Sequence, residues 1–222
     1  MAVKVKICGV RTPAIVETAA AEGADYVGLV FFEKSPRHVE VEEARVLAAI
    51  ARGKIGTVAV LVDPDDRLLD QVADRVRPDV LQLHGSETPE RVAAIKARTG
   101  LPVMKAIGVR DAADAAKAAA YAAVADMVLF DAKPAPDAAV PGGAGTAFDW
   151  TLLGGVSLTA PFALSGGLNP DNVAEAVRLT GASLVDVSSG VESALGEKDA
   201  RLVRRFVQAA KAAAPQARAK AS

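Results

Sequence analysis

The chain has 222 residues, 26 basic and 27 acidic side chains, two His, one Cys and a hydrophobic fraction of 51% that includes 47 alanines. That length suits one large domain or two small ones, and a net charge of −1 supplies no broad basic field for a nucleic-acid backbone. A single Cys excludes an internal disulfide and, with only two His, a cysteine-rich structural zinc site.

Short apolar, β-branched runs recur along the chain: Val3 to Cys8, Tyr26 to Phe32, Thr57 to Val62, Val80 to His84, Val103 to Gly108, Met127 to Asp131, Phe162 to Ser165 and Leu184 to Ser188. Continuous apolar runs separated by helix-period segments read as buried parallel strands in βα units. Their carboxyl ends, marked at Cys8, Phe32, Asp63, His84, Gly108, Asp131, Ser165 and Ser188, lie 21 to 34 residues apart. Eight such units in 222 residues predict an α/β fold, a single (β/α)8 TIM barrel spanning 1–222.

Helix punctuation follows the same rhythm. Thr12-Pro13, Asp63-Pro64, Thr88-Pro89 and Asn169-Pro170 each offer a capping residue and then Pro at the first helical position, while Gly23, Gly53, Gly100 and Gly181 sit at expected helix stops. Asp111 to Ala125 is so rich in alanine that its helix face is weakly defined, and residues 212–222 are expected to fray. Trp150 to Leu168 is uncharged and long enough to cross a bilayer, but its glycines, Pro161 and hydroxyl residues favour turns around a short strand. With no secretory pattern at MAVKVKICGV, the expected compartment is the reducing cytoplasm.

Two units are longer than the rest. Glu33 to His38 extends the connection after strand two, and the Pro/Gly-rich stretch Ala132 to Thr146 extends the one after strand six. Both insertions fall on the face of a barrel where active sites are built.

Candidate chemistry gathers on that face. Gly166 and Gly167 follow strand seven, and Ser188 and Ser189 end strand eight. Glycine amides, Ser hydroxyls and helix N-termini bind anions, and these two loops are the recurrent phosphate site of the fold, so a small phosphorylated substrate is expected. Cys8 ends strand one. Its residue type suggests a small buried hydrophobe, and its position suggests a working thiol. Asp131, after three apolar residues, is a loop carboxylate or a general acid or base. Asp186 faces inward near the phosphate loops, in a packed or ligand-contacting role. Arg37 is a bidentate carboxylate clamp or a solvated loop residue. His84 reads as a wall residue of the pocket. No clustered His/Asp/Glu set has metal-ligand spacing, so no metal is expected.

Several ordered motifs, running from strand one to strand eight, carry a resemblance. They are Lys6-Ile7-Cys8-Gly9, Gly28-Leu29-Val30-Phe31 with Lys34-Ser35-Pro36-Arg37, Leu81-Gln82-Leu83-His84-Gly85, Leu129-Phe130-Asp131, Gly142 to Trp150, Leu164 to Pro170 and Val185 to Glu192. Together they resemble the phosphoribosylanthranilate isomerase family of tryptophan biosynthesis. The resemblance implies a cofactor-free Amadori rearrangement, with Asp131 as general acid toward the ribose ring oxygen and Cys8 as general base at C2'. It further implies that Arg37 holds the anthranilate carboxylate and His84 lines that end. Gly166, Gly167, Ser188 and Ser189 would hold phosphate, supported by Asp186, under a closing loop containing Gly143 and Gly145.

The nearest rival is the bifunctional sugar isomerase of histidine and tryptophan synthesis, which uses Asp at the end of strand one where this chain has Cys8. A catalytically silent phospho-ligand barrel is the rival from another class, and the pairing of Cys8 with Asp131 speaks against it. Partners beyond the substrate are limited to a second copy of the chain, as monomer or homodimer, with no nucleic acid and no membrane.

Overall fold

The structure, a computed structural model, describes residues 3–133, 148–156 and 161–213. Eight strands form its centre: β1 (Lys4–Cys8), β2 (Tyr26–Phe31), β3 (Gly56–Leu61), β4 (Val80–Leu83), β5 (Val103–Val109), β6 (Met127–Ala132), β7 (Phe162–Leu164) and β8 (Leu184–Val187). Each pairs in parallel with the next, and β1 also pairs with β8, so the sheet closes into a (β/α)8 barrel as the spacing predicts. The helices α1 (Pro13–Ala21), α2 (Val41–Ala51), α3 (Asp66–Gln71), α4 (Pro89–Thr99), α5 (Ala112–Ala116), α6 (Ala118–Ala122), α7 (Val173–Thr180) and α8 (Ala200–Ala212) lie between and after the strands. A two-stranded hairpin, β9 (Glu192–Ala194) with β10 (Glu197–Lys198), follows β8.

Strand side chains alternate between two cores. Val5, Ile7, Leu29, Phe31, Leu61, Leu83, Phe130 and Val185 join the large cluster beneath the helices. Inside the barrel, Met104, Ala106, Leu129, Ala163 and Leu184 form one smaller cluster, and Cys8, Val30, Val58 and Val60 another. Removing a large aliphatic or aromatic side chain from water contributes about 1.5–3 kcal/mol each. The outer layer, which holds most of the large buried residues, therefore dominates stability, and the smaller interior is freer to carry polar groups.

Local structure departs from the sequence reading at three places. Asp63 does not cap a helix: it has a positive φ of 44°, its carboxylate accepts from the Ser86 amide, and α3 is capped two residues later by Asp65. At Asn169-Pro170 the Asn side chain accepts from the amides of Asp171 and Asn172, forming a turn that delays α7 to Val173. The alanine-rich segment breaks into the two five-residue helices α5 and α6, since few large side chains pin it to the barrel. Thr12, Thr88, Gly100 and Gly181 stand where the punctuation predicts, the two glycines with φ of 67° and 65° at helix ends.

Trp150 to Leu168 contains a 3-10 turn at Trp150–Gly155 and strand β7. No described helix is long and apolar enough to cross a membrane. Most of the Ala132 to Thr146 insertion, including Gly143 and Gly145, and the tail from 214 lie outside the described residues.

One buried ion pair fastens the loops after β3 and β4. Glu87 accepts from Lys105 Nζ at 2.8 Å and from the amides of Asp63 and Gly85, while Lys105 also donates to the Gly85 carbonyl at 2.7 Å. Gly85 fits against the left-handed Asp63 because a Cβ there would stand 2.6 Å from the Asp63 carboxylate. Glu87→Ala leaves a buried ammonium and two amides without their acceptor, and is expected to destabilise by about 3–5 kcal/mol in urea unfolding. A loss below about 1 kcal/mol would remove this pair from the framework of the site.

Candidate active site

The carboxyl ends of the strands converge on one mouth. Cys8 is the last residue of β1, and its thiol is free and buried. Two residues earlier, on the same face, Lys6 is fully buried with its ammonium 2.8 Å from Asp186 Oδ2 on β8. The register of the closing pair sets Lys6 directly opposite Asp186. Gly28 on β2, opposite Cys8, makes the arrangement possible: a Cβ there would come within 2.9 Å of Cys8 Sγ and 3.1 Å of Lys6 Cε.

Burial dominates the Cys8 thiol and pushes its pKa above the ordinary value, with the Lys6 ammonium below it and Lys198 pulling the other way. For Lys6, burial acts to release the proton, but Asp186 and Cys8 hold it more strongly and the pKa rises. The pair therefore places a permanent positive charge beneath the thiol. Asp186 thus acts beneath Cys8 by holding Lys6, while its own charge disfavours the thiolate, and its second oxygen, Oδ1, is buried without a hydrogen-bond partner.

Across the mouth, Asp131 near the end of β6 accepts from the Ala132 amide at 2.9 Å and lies 3.1 Å from His84 Nε2. Gln82, also two residues back on its strand, donates to His84 Nδ1 at 2.9 Å. An acceptor at Nδ1 leaves the proton of the neutral imidazole on Nε2, where it is directed at Asp131. His84 is therefore a partner of Asp131. Gly108 of β5, which pairs with Asp131 and carries no side chain, sits on the strand between them.

The connection after β2 folds back tightly. Ser35 donates its amide to the Phe32 carbonyl, His38 to that of Ser35, and Val39 to that of Val30. This turn carries the buried Arg37 to the mouth, where its Nε and Nη2 bond both oxygens of Glu192 on β9 at 2.7 and 2.9 Å. Gly9 follows Cys8 with φ of 76°, and a Cβ on it would meet Arg37 Cδ at 2.6 Å. Burial would raise the Glu192 carboxyl, but Arg37 and Lys198 hold it down at about 2.

The phosphate-type loops also meet. Gly190, just after β8, lies so close to Leu168 that any Cβ would strike its carbonyl oxygen. Gly166 packs against the Ala132 backbone, and Asn172 Nδ2 donates to the Gly167 carbonyl. Gly166, Gly167, Ser188 and Ser189 are thereby brought together, all partly exposed. The Ser188 hydroxyl donates to the Cys8 carbonyl and receives a bond from Lys198. Lys6, Gln82, Glu192 and Lys198 are contributors that motif reading did not single out. The first two share a strand face with Cys8 and His84, a signal that was present in the sequence.

A family model described as N-(5'phosphoribosyl)anthranilate (PRA) isomerase matches residues 5–209. The chain is 55% identical to N-(5'-phosphoribosyl)anthranilate isomerase of Paramagnetospirillum magneticum, over 97% of its own length and 100% of that protein. Among solved structures it resembles phosphoribosyl anthranilate isomerase from Thermotoga maritima, with TM-score 0.85 and 36% identity over 94% and 98% of the two chains. It also resembles a phosphoribosyl anthranilate isomerase in complex with reduced 1-(o-carboxyphenylamino)-1-deoxyribulose 5-phosphate, with TM-score 0.80 and 33% identity over 94% and 98%.

The charge beneath Cys8 has a measurable consequence. The ultraviolet absorbance step of its thiolate, taken as the difference between the wild-type chain and Cys8→Ser, should fall above pH 9.0. In Lys6→Met it should move higher still, because the cation that favours the thiolate is gone. A step left in place by Lys6→Met would show that Lys6 does not act on the thiol.

Proposed function

The chain belongs to the N-(5'-phosphoribosyl)anthranilate isomerase family, and we propose that it performs that family's Amadori rearrangement with Cys8 as general base and Asp131 as general acid. The activity is the isomerisation of N-(5'-phosphoribosyl)anthranilate to 1-(2-carboxyphenylamino)-1-deoxyribulose 5-phosphate in tryptophan biosynthesis. It is an aldose-to-ketose conversion within one molecule. The observation that carries the assignment of roles is the placement of Cys8 and Asp131 at the carboxyl ends of β1 and β6, two proton-transfer groups of different type at one mouth.

In this reading Asp131 delivers a proton to the ribose ring oxygen as the C1'–O bond breaks, opening the ring to a protonated Schiff base. The Cys8 thiolate then removes the C2' proton, the electron pair moves into the C1'–C2' bond, and the iminium nitrogen accepts the displaced pair. The resulting enolamine takes a proton at C1' as its C2' hydroxyl becomes the ketone. C2' is oxidised and C1' reduced within one molecule, so no external electron carrier enters. His84 orients Asp131 through Nε2–H, a role nearer to the chemistry than lining the anthranilate end.

Arg37 clamps the anthranilate carboxylate with the N–H groups that its Glu192 pair leaves over, chiefly those on Nη1. The phosphate lies against Gly166, Gly167, Ser188 and Ser189, and Gly143 and Gly145 belong to the same substrate-binding set. Residues 1–222 work as one barrel domain in the cytoplasm, as monomer or homodimer. The substrate is the partner, joined by a second copy where the chain is a homodimer, and nucleic acid and membrane are not partners.

Purified protein should consume phosphoribosylanthranilate, followed by loss of anthranilate-type fluorescence, without added metal or nucleotide. Cys8→Ala and Asp131→Ala should each lower kcat by about 100- to 10,000-fold. Full activity in either variant removes that residue's role. No turnover by well-folded wild-type protein would instead favour the silent phospho-ligand barrel. The histidine-pathway aminoaldose, assayed in parallel, should not react.

A further inference from the structure

Arg37, Glu192 and Lys198 form a cluster that the rearrangement as described above does not use in full. Their side chains are 6%, 5% and 2% exposed. Glu192 sits between two cations. It accepts Nε and Nη2 of Arg37, Nζ of Lys198 at 2.5 Å and the Gly196 amide at 3.2 Å. Lys198 in turn donates to the Ser188 carbonyl and hydroxyl, both at 3.1 Å. A continuous chain of bonds therefore runs from the Arg37 loop, through the β9–β10 hairpin, to the first residue of the strand-eight loop.

Two features argue against a purely structural purpose. Two cations and one carboxylate leave the buried cluster with one uncompensated positive charge, an arrangement that costs stability unless an anion completes it. The fork of Arg37 is also held by the Nε edge. That grip fixes the plane of the guanidinium and leaves Nη1 as the end able to meet an incoming carboxylate. The hairpin that supplies Glu192 is itself fitted to the Arg37 loop. Gly196 packs so that a Cβ would lie 2.7 Å from the Pro36 carbonyl, which also accepts from Arg11 at 3.2 Å.

We propose that Glu192 is a positioning residue for substrate binding, which aims Arg37 at the anthranilate carboxylate and is itself anchored to the strand-eight loop through Lys198. The inference rests on the assignment of Arg37 to that carboxylate. Its consequence is a fixed spacing between the two anion-binding ends of the mouth, set by the β9–β10 hairpin. The substrate is recognised by the separation of its carboxylate and phosphate as well as by each group alone.

Steady-state kinetics on wild type, Arg37→Ala, Glu192→Gln and the double variant test this. Arg37→Ala and Glu192→Gln should each raise KM at least about tenfold with the smaller part of the change in kcat. The double variant should be no worse than Arg37→Ala within about twofold, because Glu192 acts through Arg37. Competitive inhibition by inorganic phosphate should persist in Glu192→Gln, where Lys198 keeps its bonds to Ser188. Wild-type KM in Glu192→Gln, or losses that add fully in the double variant, would overturn the proposal while leaving the Arg37 assignment intact. An unchanged KM in Arg37→Ala would overturn both. If Glu192→Gln fails to fold, Glu192→Asp keeps the charge on a shorter stem and should give an intermediate KM, and a wild-type KM there would also overturn the proposal.

Discussion

Closure of the barrel by pairing β1 with β8 is the constraint on which the site depends. It sets Lys6 opposite Asp186, and an ammonium and a carboxylate at that register must bond because neither can reach water. Strand alternation then places Cys8, two residues beyond Lys6, on the same inner face one step nearer the mouth. The thiol has a cation below it for reasons of topology alone. A register slip of one residue would turn Lys6 outward into the apolar layer between barrel and helices and leave Asp186 alone inside.

The charges around the mouth balance in a way that suits proton abstraction. Lys6, Arg37 and Lys198 face Asp186 and Glu192, so with a neutral thiol this side of the mouth carries one surplus positive charge. A Cys8 thiolate, or the carboxylate of a bound substrate, cancels it. Burial works against the thiolate and the cations Lys6 and Lys198 work for it, with burial the larger effect. Asp131 sits with a neutral-type hydrogen-bond partner, His84, across from this cationic cluster. Acid and base are thereby kept in different electrostatic surroundings within one opening.

Much of this was legible in the sequence because it follows from period and position. Eight apolar runs at near-regular spacing specify the barrel, and the last residue of each run is necessarily at its mouth. Cys8, Asp131 and the Ser188 loop needed nothing more than that. What could not be read are bonds between residues distant in sequence. Arg37 and Glu192 lie 155 residues apart, and nothing local in either loop announces the other. Asp63-Pro64 misled for a related reason. Its local pattern is that of a helix cap, but the carboxylate is taken by Ser86 from a neighbouring loop, and tertiary pairing overrides the local preference.

Small residues are the remaining condition for the chemistry. Gly28, Ala106, Gly108 and Ala163 replace larger side chains on the inner faces of β2, β5 and β7, where a barrel of this size would otherwise be filled with Val, Ile or Leu. Their effect is specific at Gly28, where one added methyl would displace either the thiol or the Lys6 stem. The polar groups that occupy this space each bond another group fixed to a different strand: Lys6 to β8, His84 to β6, and Arg37 to the hairpin after β8. A short hydrogen-bonded side chain on a strand end has little freedom to wander. The site is therefore held by the same strand register that closes the barrel, and its geometry persists as long as the apolar layer outside keeps that register in place.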